Sequence, residues 1–88
     1  MKKAKISLRE LLGEIPTEDR EEARLSFQIS NRLDALMSQK GLSKKQLADA
    51  IGKRPSEITR WLSGEHNFTI STLAMLSTFF GEPIITVV

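Results

Sequence analysis

Cysteine is absent from this chain, and histidine, tryptophan and proline are scarce: one, one and three residues. Without cysteine there are no disulfides and no thiolate metal sites, which fits a reducing cytosol. The single histidine, His66, excludes a His-rich metal centre. No apolar run approaches the ~20 residues that span a bilayer. The Lys2-Lys3 start lacks the apolar stretch of a signal peptide, so a cytoplasmic protein is expected. No nucleophile and base stand together in motif context, and there is no Gly-rich phosphate loop. The carboxylates between residues 18 and 22 read as helix-start charges, not as an acid/base pair. Neither an enzyme nor a cofactor or metal is expected. A chain of 88 residues makes one small domain of modest stability, to which dimerisation would add.

Charge is nearly balanced overall, at +2, but unevenly spread. Between Arg9 and Arg24, six acids (Glu10, Glu14, Glu18, Asp19, Glu21, Glu22) face three arginines. Between Lys40 and Arg60, six bases (Lys40, Lys44, Lys45, Lys53, Arg54, Arg60) face only Asp49 and Glu57. Local sign governs attraction to a polyanion more than total charge does.

The basic stretch, SKKQLADAIGKRPSEITRWLSG from Ser43 to Gly64, reads as two short amphipathic helices around a tight turn at Gly52. Ser43 can cap the first, with Gln46 reaching back to the cap's own N–H and Leu42 and Leu47 forming a hydrophobic staple. Leu47, Ala48 and Ile51 recur at helical spacing, and Gly52 supplies the left-handed conformation that ends a helix. Pro55 opens the second helix, where its missing N–H costs nothing. Ile58, Trp61 and Leu62 form an apolar stripe. At 100° per residue, Ser56, Arg60 and Ser63 lie opposite it, with Glu57 and Thr59 at the flanks. Such a helix buries one face and presents hydrogen-bonding side chains on the other, as the reading of base edges in a DNA groove requires.

Around this unit, residues 1–16 form an arm whose Ile6, Leu8, Leu11, Leu12 and Ile15 are too apolar for a free tail. It can make a short helix capped by Ser7 and broken by Gly13 and Pro16, docked on its own domain or on a partner. Thr17 to Lys40 reads as one long helix with an acidic first turn suited to the dipole. Leu25, Ile29, Leu33 (or Arg32 beside it), Leu36 and Met37 make its stripe, and Phe27 sits off its centre. Gly64 to Phe68 is a loop. Thr69 caps a helix running to about Phe80, with Ile70, Leu73, Leu76 and Phe80 inward and Gly81 ending it. IITVV, Ile84 to Val88, is β-branched and predicts a strand needing a partner.

These motifs resemble the phage repressor and Cro (XRE) family of helix-turn-helix proteins. Leu42-Ser43, Gln46-Leu47-Ala48, Ile51-Gly52, Ser56, Ile58, Arg60-Trp61, Ser63-Gly64, Thr72-Leu73 and Phe80-Gly81 carry the likeness, over about residues 26 to 81. Two positions depart from the family pattern: Lys44 stands where Gln is common, and Arg54 where Ser often caps the second motif helix. The phrase WLSGEHNFT and the β-branched tail look more like the antitoxin (HigA-like) branch, whose partners are RelE-like, HigB-type mRNA-cleaving toxins. The resemblance implies an all-α, five-helix-type lambda-repressor-like fold. Its parts would be an arm (1–16), a helix-turn-helix domain (17–81) and a C-terminal strand or tail (82–88). It further implies a homodimeric repressor on a near-palindromic double-stranded operator with half-sites about 34 Å apart, acting as an antitoxin that represses its own operon. The competing expectation is a protein-interaction module that binds a toxin through its arm and long helix without reading DNA.

Within that frame Arg60, Ser56 and Thr59 are the candidate base contacts. Glu57 can accept from a cytosine amino group or cap its own helix. Lys44, Lys53 and Arg54 cluster at helix starts, where phosphates dock, with Lys45 weaker. Ser63, His66 and Asn67 are candidates for the sugar-phosphate backbone. Trp61 belongs in the core. Leu8, Leu11, Leu12, Phe27, Phe79, Ile84, Ile85 and Val87 are the candidate partner or dimer contacts.

Overall fold

Capping chemistry decides where the helices of this protein begin. The computed structural model describes residues 17–87. Helix α1 spans Thr17–Lys40, α2 Lys44–Ile51, α3 Pro55–Trp61 and α4 Ile70–Phe80. Before α2, the Ser43 hydroxyl accepts from the Gln46 N–H (3.1 Å) and the Gln46 side-chain oxygen accepts from the Ser43 N–H (2.8 Å). This closes the reciprocal cap. Before α4, the Thr69 hydroxyl accepts from the Thr72 N–H at 3.1 Å. Between α2 and α3, Gly52 takes φ +73°, and the N–H groups of Gly52 and Lys53 both turn back to the Ala48 carbonyl. The chain thereby reverses in one left-handed step that other residues resist.

The core draws on every helix. Leu33 and Leu36 of α1, Leu47 of α2, Ile58 of α3 and Leu76 of α4 are fully buried, each stabilising by about 1.5–3 kcal/mol. Ile29, Met37, Ala48, Trp61, Phe80 and Ile84 complete the cluster. On α1 the buried face is Ser26, Ile29, Ser30, Leu33, Leu36 and Met37. Leu25 and Phe27 fall on either flank of that stripe, so Leu25 is exposed where the sequence reading places it inward. Apart from half-buried Arg20, residues 17–25 contribute nothing to the core, and the acidic head of α1 stands beyond it.

Three further expectations are corrected. Among the described residues there are four helices, not five; the arm lies outside those residues, and with it Leu8, Leu11 and Leu12. Ile70 is 84% exposed. It sits about 90° around the wheel from the centre of the face made by Leu73, Leu76 and Phe80, so spacing alone misplaces it. The IITVV tail forms no strand over its described residues. It folds back instead. The Ile84 N–H donates to the Ser77 hydroxyl (3.1 Å), and Arg32 reaches the Pro83 carbonyl (3.1 Å) and the Glu82 carboxylate (3.2 Å). With Ile84 only 5% exposed, the tail is a lid on its own core. Among the described residues of the β-branched tail only Ile84 is buried, and its N–H and the Pro83 carbonyl find side-chain partners in place of a ladder.

Candidate nucleic-acid interface

Helix α3 is held from three sides. Ile58 and Trp61 are buried beneath it. At its start, the Glu57 carboxylate accepts from the Arg54 N–H at 3.0 Å. Arg54 has no acceptor to return, so only half of a reciprocal cap forms, and Glu57 takes the local capping alternative. At its end, the Ser30 hydroxyl donates to the Trp61 carbonyl at 2.6 Å. The opposite face carries Ser56, Thr59 and Arg60, all exposed. Among the described residues none of the three side chains has a hydrogen-bonding or ion-pair partner within the protein.

The flanking cations differ in how free they are. Lys45 pairs with Asp49 at 2.9 Å on the surface of α2. Lys44, Lys53 and Arg54 are exposed and make no ion pair among the described residues. Cations at helix starts oppose the macrodipole, so their positions do not serve helix stability. They gather unneutralised positive charge beside the open face of α3, which a polyanion would satisfy.

The loop after α3 is less uniform than its sequence suggests. Asn67 and Ser63 are exposed, and the Ser63 hydroxyl accepts from the Glu65 N–H at 3.1 Å. His66 is half-buried in an aromatic cluster, its ring edge-on to Phe68 at 4.7 Å and tilted to Trp61 at 6.5 Å. Burial pushes its pKa below the ordinary histidine value, and the nearby Arg60 charge adds to the effect. At neutral pH His66 is therefore an uncharged hydrogen-bonding group and part of the packing under the loop.

Of the candidate partner contacts, Phe27, Phe79, Ile85 and Val87 are exposed. Phe79 and Met75 line an open apolar groove between α2 and α4, with Ile51 and the small Ala50 and Ala74. Ile84 belongs to the protein's own core. Three contacts escape the sequence reading. Ser30 and Arg32 bind the end of α3 and the tail, and Gly64 lies against Phe27. A serine at a buried position of an apolar stripe is the one signal that could have found Ser30, because a hydroxyl there needs a partner.

The helix-turn-helix family model matches residues 33–86, from the middle of α1 to the tail and over half of the chain. The chain belongs to the helix-turn-helix family and, at that level, is a DNA-binding transcription regulator. The XRE-like part of the sequence resemblance holds. A search of the curated proteins found no match. Among the described residues no helix is long and apolar enough to cross a membrane.

Proposed function

We propose that this protein is a homodimeric repressor that reads a near-palindromic double-stranded DNA site, and that it acts in the cytoplasm as the antitoxin of a type II toxin–antitoxin pair. The observation that carries the DNA reading is the open face of α3. Among the described residues Ser56, Thr59 and Arg60 are exposed without partners, backed by an apolar core and flanked by Lys44, Lys53 and Arg54, which make no ion pair there. Hydrogen-bonding groups on α3 would read base edges while the cations supply sequence-independent affinity. Dimerisation through the apolar groove at Phe79 and Met75 would present two such faces.

The test is selection of binding sites from a random duplex pool, followed by a salt titration. Arg60→Ala should lose about 1–3 kcal/mol on the selected site, and Lys53→Ala should weaken all duplexes and lower the salt slope by about one. Absence of salt-dependent duplex binding by the unaltered protein would sink the repressor reading. Phe79→Glu should convert a sedimenting dimer to monomer.

The antitoxin part rests on the WLSGEHNFT resemblance and on one surface feature. The acidic head of α1 edges a concavity floored by Leu25, Ile29, Phe68 and Ile85 and rimmed by Glu18, Glu21 and Glu22. A basic toxin would complement it. The same feature favours the competing interaction-module reading. A small basic protein that co-purifies after nuclease treatment supports the toxin partner in both readings; the duplex selection decides between them.

A further inference from the structure

Ser30 stands on α1, remote in sequence from the reading helix, yet its hydroxyl makes two hydrogen bonds to the end of that helix. It donates to the Trp61 carbonyl at 2.6 Å and accepts from the Gly64 N–H at 3.1 Å. Among the described residues neither backbone group has a backbone partner. Ser30 is 3% exposed, so its hydroxyl spends both bonds inside the protein. One turn earlier on α1, the Phe27 ring lies against Gly64. The long helix therefore grips the junction between the reading helix and the loop that follows it.

Helix α3 has only seven residues, about 10 Å of rod. Apolar contacts at Ile58 and Trp61 hold it down but are non-directional. A short, buried hydrogen bond at one end is directional. It fixes the rotation that aims Ser56, Thr59 and Arg60. Base-edge hydrogen bonds tolerate little misplacement, whereas long lysine and arginine side chains follow phosphates over a wide range.

We infer that Ser30 is a positioning residue for sequence discrimination, acting through Trp61 and Gly64 and touching no DNA itself. The inference rests on the DNA-reading proposal above. Removing the hydroxyl strands a carbonyl and an N–H and frees the end of α3. Discrimination should fall while general affinity stays.

The experiment compares the unaltered protein, Ser30→Ala and Ser26→Ala on two probes: a duplex enriched from a random pool by the unaltered protein, and a random-sequence duplex of equal length. Ser26 is a neighbouring serine, 8% exposed, whose hydroxyl has no hydrogen-bond partner among the described residues and reaches solvent, and it serves as control. Ser30→Ala should bind the enriched duplex roughly tenfold more weakly and the random duplex within about twofold of normal. In the free protein, its Gly64 amide should exchange hydrogen faster. Ser26→Ala should change none of these. Ser30→Cys, close in size with a weakly bonding sulfur, gives the same reading if the alanine variant does not fold. An unchanged ratio between the two duplexes, or a parallel loss on both, overturns the role of Ser30 and leaves the DNA reading standing. Failure of the unaltered protein to enrich any duplex overturns both.

Discussion

At Gly64 a methyl group would meet two separate obstacles, and Gly52 allows them to be told apart. Gly52 has φ +73° and nothing within 4 Å of the position a Cβ would take. Alanine there meets backbone strain alone, about 1–2 kcal/mol for a left-handed L-residue. The reduced freedom of the unfolded chain offsets about 0.4–1 kcal/mol of that, so Gly52→Ala should cost about 1 kcal/mol. Gly64 has φ +88°, and its Cβ would stand 3.2 Å from Phe27 Cδ1, inside the ~3.5–4.0 Å of an ordinary carbon contact. The Phe27 ring is 59% exposed and can swing aside. Leaving its preferred rotamer costs about 0.5–1.5 kcal/mol. Gly64→Ala should therefore cost about 2 kcal/mol. Adding Phe27→Ala should remove the excess over Gly52→Ala, a coupling of about 1 kcal/mol. Urea denaturation of the single and double variants measures this from midpoints at constant m-value. A Gly64→Ala cost equal to that of Gly52→Ala, with no coupling to Phe27, would refute the contact between α1 and the loop. A neutral Gly64→Ala would refute the left-handed backbone as well.

Other outcomes follow from the same geometry. Ser43→Ala removes one half of the α2 cap and should lower stability by about 1 kcal/mol in urea melts, with Ser56, Thr59 and Arg60 untouched. Trp61→Ala empties the space beneath α3 and should cost about 3–5 kcal/mol, enough to unfold much of so small a domain by circular dichroism. Arg32→Ala loses its bonds to Pro83 and Glu82 and should speed hydrogen exchange at the Ile84 amide, with a stability change below about 1 kcal/mol. The folded-state pKa of His66 is depressed, so it contributes stability that is fully present above its unfolded value of ~6.5 and is lost as pH falls through the folded value. The urea midpoint should drop as pH falls below about 6.5, and His66→Gln should reduce that drop; an identical drop would contradict the buried, neutral ring.

Short-range chemistry is where the chain is legible from its residues. Ser43 with Gln46, Gly52, Pro55, Thr69 and Gly81 mark helix ends because caps and left-handed turns are settled within a few residues of themselves. The open face of α3 is equally legible, since Ile58 and Trp61 fix which side is buried and the wheel does the rest. Misreadings arise where periodicity is asked to stand for environment. Ile70 has the right spacing and the wrong azimuth, and Leu25 lies one residue off a stripe that Ser26 occupies.

Sequence alone therefore determined the four described helices, the turn between α2 and α3, and the candidate reading face of this helix-turn-helix protein. Tertiary structure alone decided the rest: that Ser30 holds the end of α3 across 31 residues, that His66 is packed rather than displayed, and that Ile84 turns inward. The physical reason is range. A cap or a helical face depends on neighbours a turn away, whereas the partner of a buried hydroxyl, a half-buried ring or a β-branched tail is chosen by whatever surface folding brings against it.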